Sequence, residues 1–143
     1  SKGFDLIDWY ELDPEVVKVS QKHLAKVCGD IKANNKVKTY WGDAFESIKK
    51  VKDQKYDKIF VDLNDDDFCI NLAAKNMKGL KRILKPGGVI TAQVGCMSKK
   101  PKQVKNWIEL MKNNFGNAEL SETFIPSFDC RWNFASSLMK QDN

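Results

Sequence analysis

Short apolar runs of strand type alternate with segments of helical period along the chain, and no repeat, low-complexity stretch or linker interrupts them. This alternation predicts an α/β fold with a mainly parallel sheet, because parallel strands must be joined by crossover helices that cover the sheet. The first strand is expected over 6–11. It runs into Asp13-Pro14-Glu15, which supplies an N-cap, a proline at the first helical position and an early acid, so a helix to about Val27 follows. A second strand is expected over 36–41, then Gly42-Asp43 and a short helix over 44–50.

The third strand, over 56–62, enters a continuous apolar run, the pattern of a strand covered on both faces. Beyond it Cys69, Leu72, Ala73, Met77, Leu80 and Ile83 recur at helical spacing until Lys85-Pro86-Gly87-Gly88 stops the helix. A strand over 89–94 follows. Val104, Trp107, Ile108, Met111 and Phe115 then trace one face of an amphipathic helix, and these are core positions. Two closing strands, 119–125 and 131–138, flank Pro126-Ser127-Phe128-Asp129, a turn short enough to make them an antiparallel pair.

At 143 residues the chain fits one domain, 1–143, and 42% hydrophobic residues supply a core. A mean hydropathy of −0.50 describes a chain with a polar surface. No apolar run reaches the roughly 18–20 residues of a membrane span, and the first residues lack a secretory h-region, so a cytoplasmic protein is expected. Of the 24 basic residues only Arg82 and Arg131 are arginine, and the lysines are scattered along helix and loop positions. That pattern argues against nucleic-acid binding, which favours the bidentate fork of arginine and clustered charge. The net charge of +5 does not decide a ligand's charge, since screening over about 8 Å lets a local cluster such as Asp65-Asp66-Asp67 rule its own site. The four cysteines, 28, 69, 96 and 130, show no metal-ligand spacing, and His23 is the one histidine. No metal site is expected; the cysteines are read as free thiols in a reducing compartment.

In an open α/β sheet, ligands bind beyond the carboxyl ends of the strands, and three of the expected strands end in acid. Glu11 closes the first, Asp43 lies just past the second, and Asp62 closes the third. Glu11 is placed to accept hydrogen bonds from ribose hydroxyls. Asp13 is read as a helix cap, Asp43 as either a cap or an adenine contact, Asp57 as a solvated turn residue, and Asp66 and Asp67 as caps of a helix starting near Phe68. Glu11 and Asp62 resist a capping explanation, since a carboxylate ending a buried strand must find a partner.

Taken in order, Tyr10-Glu11-Leu12-Asp13-Pro14-Glu15-Val16-Val17, Gly42-Asp43-Ala44-Phe45, Tyr56-Asp57-Lys58-Ile59-Phe60-Val61-Asp62, Gln93, and Ile125-Pro126-Ser127-Phe128 with Trp132 and Phe134 resemble the spermidine and spermine synthases. These are aminopropyltransferases, and the likeness runs from about Leu6 to Ser137. The 26–30 stretch and the short spacing from Phe128 to Trp132 look closer to spermine synthase, whereas Asp65 sits where spermidine synthases carry a second acid. The resemblance implies a Rossmann-like, class I methyltransferase-type fold. It implies no prosthetic group, decarboxylated S-adenosylmethionine as co-substrate, a polyamine (putrescine or spermidine) as acceptor, and a full-length homodimer or tetramer.

Position by position, it implies that Glu11 holds the ribose and Asp43 with Ala44 the adenine. Asp62 would orient and deprotonate the attacking amine, with Asp65 and Gln93 as polar neighbours. Phe128 stands in place of the family's usual amine-site tyrosine. The family also opens its catalytic domain with a strand and a glycine-rich turn, which lie between the strands that end in Glu11 and Asp62. This sequence lacks both, and the segment 63–68 replaces a longer lid. The expectation is a partial catalytic domain whose first strand lies upstream; closure of the two halves, or a strand from another chain, are the alternatives. An ordinary methyltransferase and a non-catalytic relative serving as subunit or scaffold are the competing functions.

Overall fold

The computed structural model describes residues 3–29, 34–64 and 66–141, which form two compact units, 1–50 and 51–143. Asp65 lies outside the described residues. In the first unit, β1 (Ile7–Glu11) pairs in parallel with β2 (Val37–Trp41), with Ile7 opposite Val37 and Glu11 opposite Trp41. Parallel strands require a crossover, and α1 (Pro14–His23) and α2 (Ala25–Cys28) supply it. The Asp13 carboxylate accepts from the Glu15 N–H at 2.8 Å, the capping role expected of it, and Pro14 occupies the first helical position. The single helix expected to Val27 is broken at Leu24. There φ turns to −121° while the Leu24 N–H still closes α1 on the Ser20 carbonyl at 2.7 Å. Val17 of α1, with Phe45 and Ile48 of α3 (Ala44–Ile48), is buried, and Tyr10 stacks on Tyr40 across the ladder at 4.8 Å.

In the second unit, β3 (Tyr56–Val61), β4 (Leu84–Cys96), β6 (Cys130–Leu138) and β5 (Glu119–Ile125) form one sheet in that spatial order. β3 and β4 are parallel, joined through α4 (Asp67–Ile83); β4 with β6 and β6 with β5 are antiparallel. The main core lies here. Ile70, Ala73, Met77, Leu80 and Ile83 of α4 are buried, as are Val104, Trp107, Met111 and Phe115 of α5 (Pro101–Phe115), and Ile90, Ala92 and Val94 of β4. The helical spacing placed both helices, although α4 turns Ile70 inward and leaves Cys69 and Leu72 only half-buried. Asp66 caps α4 through a 2.7 Å bond from the Cys69 N–H. Burial first, and the hydrogen bond with Asp66 second, push the Cys69 thiol upward from its usual pKa.

Four sequence expectations change. β3 is not covered on both faces: it is the edge of its sheet, only Val61 is buried, and Phe60 is 66% exposed. Asp57 is not a turn residue but lies within β3, where Lys85 Nζ donates to both its oxygens at 2.8 and 2.9 Å. Those hydrogen bonds hold its carboxyl below the usual range. Lys85-Pro86-Gly87-Gly88 does not separate helix from strand. β4 begins at Leu84, opposite Tyr56, and the four residues are absorbed in a register shift before Lys58 meets Val89. Finally, Cys96 and Cys130 are not free thiols but form a disulfide with Cα atoms 6.4 Å apart. The antiparallel β4–β6 ladder brings them together across 34 residues of sequence, a proximity that spacing could not reveal. Among the described residues, no helix is long and apolar enough to cross a membrane.

The register shift predicts one sensitive glycine. A Cβ on Gly88 would stand 2.8 Å from the Lys85 carbonyl oxygen and 3.0 Å from that of Asp57, and backbone cannot yield as a side chain can. Gly88→Ala is expected to lower stability by about 1–3 kcal/mol in urea unfolding, whereas unchanged stability would mean that the β3–β4 junction relaxes freely. The Asp57 pair gives a pH signature of defined sign. Because the folded carboxyl has the lower pKa, the pair's contribution is complete above the ordinary carboxylate range and is lost as acid carries the pH down through the folded value. The Asp57 carboxyl resonance should therefore titrate below a free carboxylate, and Lys85→Met should raise its midpoint.

Candidate active site

Within the first unit, Glu11 and Asp43 are brought to the same end of one two-stranded ladder. The Gly42 N–H donates to the Glu11 carbonyl at 2.9 Å, tying the exit of β2 to the exit of β1. Gly42 has φ +112°, a value that side-chain-bearing residues avoid, and this turn sends the chain directly into α3. Asp43 Oδ1 then accepts from the Phe45 N–H at 2.7 Å and the Glu46 N–H at 3.3 Å, so the capping role is present. Its Oδ2 has no partner among the described residues, and the side chain is exposed. Ala44, at the first position of α3, is half-buried. The half-buried Glu11 accepts from the Asp13 N–H at 3.0 Å through Oε1, which fixes its carboxylate at the strand end.

The second unit assembles the other candidates through hydrogen bonds between distant segments. Asp62 directly follows the buried Val61 and is exposed. Val61 pairs with Ala92, so the next positions along the two strands are Asp62 and Gln93. Gln93 Nε2 donates to the Leu63 carbonyl, and Gln93 Oε1 accepts from the Trp132 indole N–H at 2.7 Å. Trp132 in turn contacts the Phe128 ring, with centroids 4.4 Å apart and planes tilted by 40°. Phe128 lies in the 3-10 turn Pro126–Phe128, is 49% exposed, and has its carbonyl held by Lys99 Nζ at 2.9 Å. Asp62, Gln93 and Phe128 thus share one end of the sheet. The sequence named Trp132 only as part of a motif; its bond to Gln93 is set by β4–β6 pairing and has no signature in spacing.

Among the described residues no three histidine, cysteine, aspartate or glutamate side chains gather to hold a metal ion. An open cavity of about 370 Å³ lies elsewhere, near the start of β4, among Asp53, Gln54, Lys78, Lys81, Arg82, Leu84 and Met139. Its Arg82 is already engaged by Asp53 and the Val51 carbonyl.

The family model of the spermine/spermidine synthase domain matches residues 2–143. The chain belongs to the spermine/spermidine synthase family. Two polyamine aminopropyltransferases of Prochlorococcus marinus, from strains MIT 9215 and MIT 9301, are each 33% identical to it over 140 residues. Both alignments cover 92% of this chain and 48% of the relative, so the chain spans about half the length of these curated relatives. A spermidine synthase solved in complex with the transition-state analogue AdoDATO has a TM-score of 0.84 at 17% identity, covering 99% of this chain and 49% of that one. Spermidine synthase from Thermotoga maritima gives 0.80 at 18% identity, covering 96% and 47%. These structural likenesses establish the α/β fold expected for the family.

Proposed function

We propose that this chain carries the acid-bearing part of an aminopropyltransferase catalytic domain, which transfers an aminopropyl group from decarboxylated S-adenosylmethionine to a polyamine. The supporting observation is that the carboxylates expected from the family stand at the carboxyl ends of parallel strands: Glu11 and Asp43 beyond β1 and β2, Asp62 beyond β3. In this proposal Glu11 accepts from the ribose hydroxyls. Asp43 offers Oδ2 to the adenine while Oδ1 keeps its helix cap, beside Ala44. Asp62 orients the attacking amine, with Gln93 as its polar neighbour and Phe128 as the apolar wall; the role that the resemblance implies for Asp65 falls outside the described residues. Both units support the proposal, each by its own geometry.

The reaction is a displacement. The lone pair of a neutral amine forms a C–N bond to the methylene beside the sulfonium, the C–S bond breaks, and its electron pair stays on sulfur as methylthioadenosine departs. The sulfonium is already an activated leaving group, so the protein's task is alignment of two cationic substrates and provision of a neutral nitrogen. An alkylammonium and a carboxylate differ by about 6.5 units in reference pKa, roughly 9 kcal/mol, so a carboxylate does not simply strip the ammonium of its proton. In this proposal the amine sheds one proton to water, and Asp62 accepts a remaining N–H as positive charge develops on nitrogen. Phe128 offers no hydroxyl, which leaves to water a contact that would be worth about 1 kcal/mol.

Two substitutions separate binding from chemistry. Glu11→Gln should weaken methylthioadenosine binding by about tenfold or more in calorimetric titration, as expected for loss of charge-assisted bonds. Asp62→Asn should leave that affinity within about twofold and lower aminopropyl transfer by about a hundredfold. Full turnover in Asp62→Asn would overturn its role. A chain that binds no methylthioadenosine would favour a non-catalytic relative.

A further inference from the structure

Gln93 sits between two groups of opposite and fixed hydrogen-bonding character. The Trp132 indole N–H can only donate and the Leu63 carbonyl can only accept. An amide side chain is nearly symmetric in shape and reverses its donor and acceptor ends by a half-turn, so most surroundings leave its orientation open. Here a half-turn would set N–H against N–H and oxygen against oxygen, breaking both bonds at once. The orientation of Gln93 is therefore determined, and the group that determines it from the far side is Trp132. Its indole is held in place: Phe128 packs on the ring at 4.4 Å, and Trp132 pairs with Cys96, whose disulfide partner Cys130 starts the same strand.

We infer that Trp132 is a positioning residue that acts through Gln93 on the segment carrying Asp62, an inference that rests on the aminopropyl-transfer proposal for its catalytic consequence. The mechanical logic is local. Asp62 stands between two anchors, the buried Val61 in the β3–β4 ladder and the Leu63 carbonyl gripped by Gln93. Releasing the second anchor leaves Asp62 free to swing on an exposed strand end. Gln93 on this view is chiefly a strut, with one Oε1 lone pair and one Nε2–H committed to protein, and the charged contact to the amine falls to Asp62. Trp132 touches neither reacting atom. Its effect should appear in turnover and leave the nucleoside site of the first unit unchanged.

The test uses Trp132→Phe, which keeps an aromatic ring against Phe128 but removes the indole N–H, together with Gln93→Leu and the double variant. Trp132→Phe is expected to lower kcat by about tenfold, the order of loss that a small misplacement produces, with unchanged methylthioadenosine affinity. The double variant should be no worse than Gln93→Leu alone, since both remove the same strut. Losses that multiply, or turnover in Trp132→Phe within twofold of the parent, would overturn the inference. A second measurement does not depend on activity: the Trp132 indole N–H should exchange slowly with D2O in the parent and rapidly in Gln93→Leu, and equal exchange in both would also overturn it. If the parent transfers no aminopropyl group, the functional proposal fails while the exchange measurement still decides whether the strut exists.

Discussion

The second unit depends on β4 being covered. It pairs with β3 on one side and β6 on the other, and its residues from Ile90 to Cys96 alternate between buried and half-buried until all are enclosed near its end. A strand in that position has no water to satisfy its backbone, so each N–H and carbonyl must find a ladder partner. Leu84 takes up pairing with Tyr56 as soon as α4 ends, and the glycine-bearing register shift reconciles that early start with the later Lys58–Val89 pairing. Buried polar side chains add to this near the end of the strand: Gln103 Nε2 donates to the Val94 carbonyl at 3.2 Å, and just beyond β4 the Asn133 Oδ1 accepts from the Met97 N–H at 2.9 Å. Because β4 is fixed so completely, Gln93 has a rigid base from which to hold a loop on one side and an indole on the other.

Chemistry collects at strand ends for a related reason. A parallel strand that leaves the sheet must turn toward a helix, and the turn exposes N–H groups that carboxylates satisfy. Glu11 and Asp43 each commit one oxygen to such bonds, which fixes their orientation, and the second oxygen is the one that the proposed function assigns to a ligand. Asp62 differs. It has no cap to make, since α4 takes its own cap from Asp66, and the strut from Gln93 to Leu63 supplies restraint that a cap would otherwise give.

Local signals made the elements legible. Asp13-Pro14 starts α1, the apolar spacing of Val104, Trp107, Met111 and Phe115 places α5, and the short turn joins β5 to β6. The acids at strand ends could be read because their placement follows from element order alone. What escaped was set by partners distant in sequence. The exposure of β3 depends on its place at the sheet edge, the junction at Gly87-Gly88 on Tyr56 reaching Leu84, and the Cys96–Cys130 bond on the β4–β6 register. The break at Leu24 has no evident sequence cause, since leucine is a good helix former.

The single-oxygen cap made by Asp43 couples two equilibria. A carboxylate whose Oδ1 closes the first turn of α3 presents Oδ2 at a cost already met in folding, so a ligand bound there need not order the side chain anew. By thermodynamic linkage the relation runs both ways: whatever binds Oδ2 suppresses fraying of a helix only five residues long, and whatever frays that helix loosens the ligand. Occupancy of the nucleoside site proposed at Asp43 and local order at the start of α3 are then two readouts of one free energy.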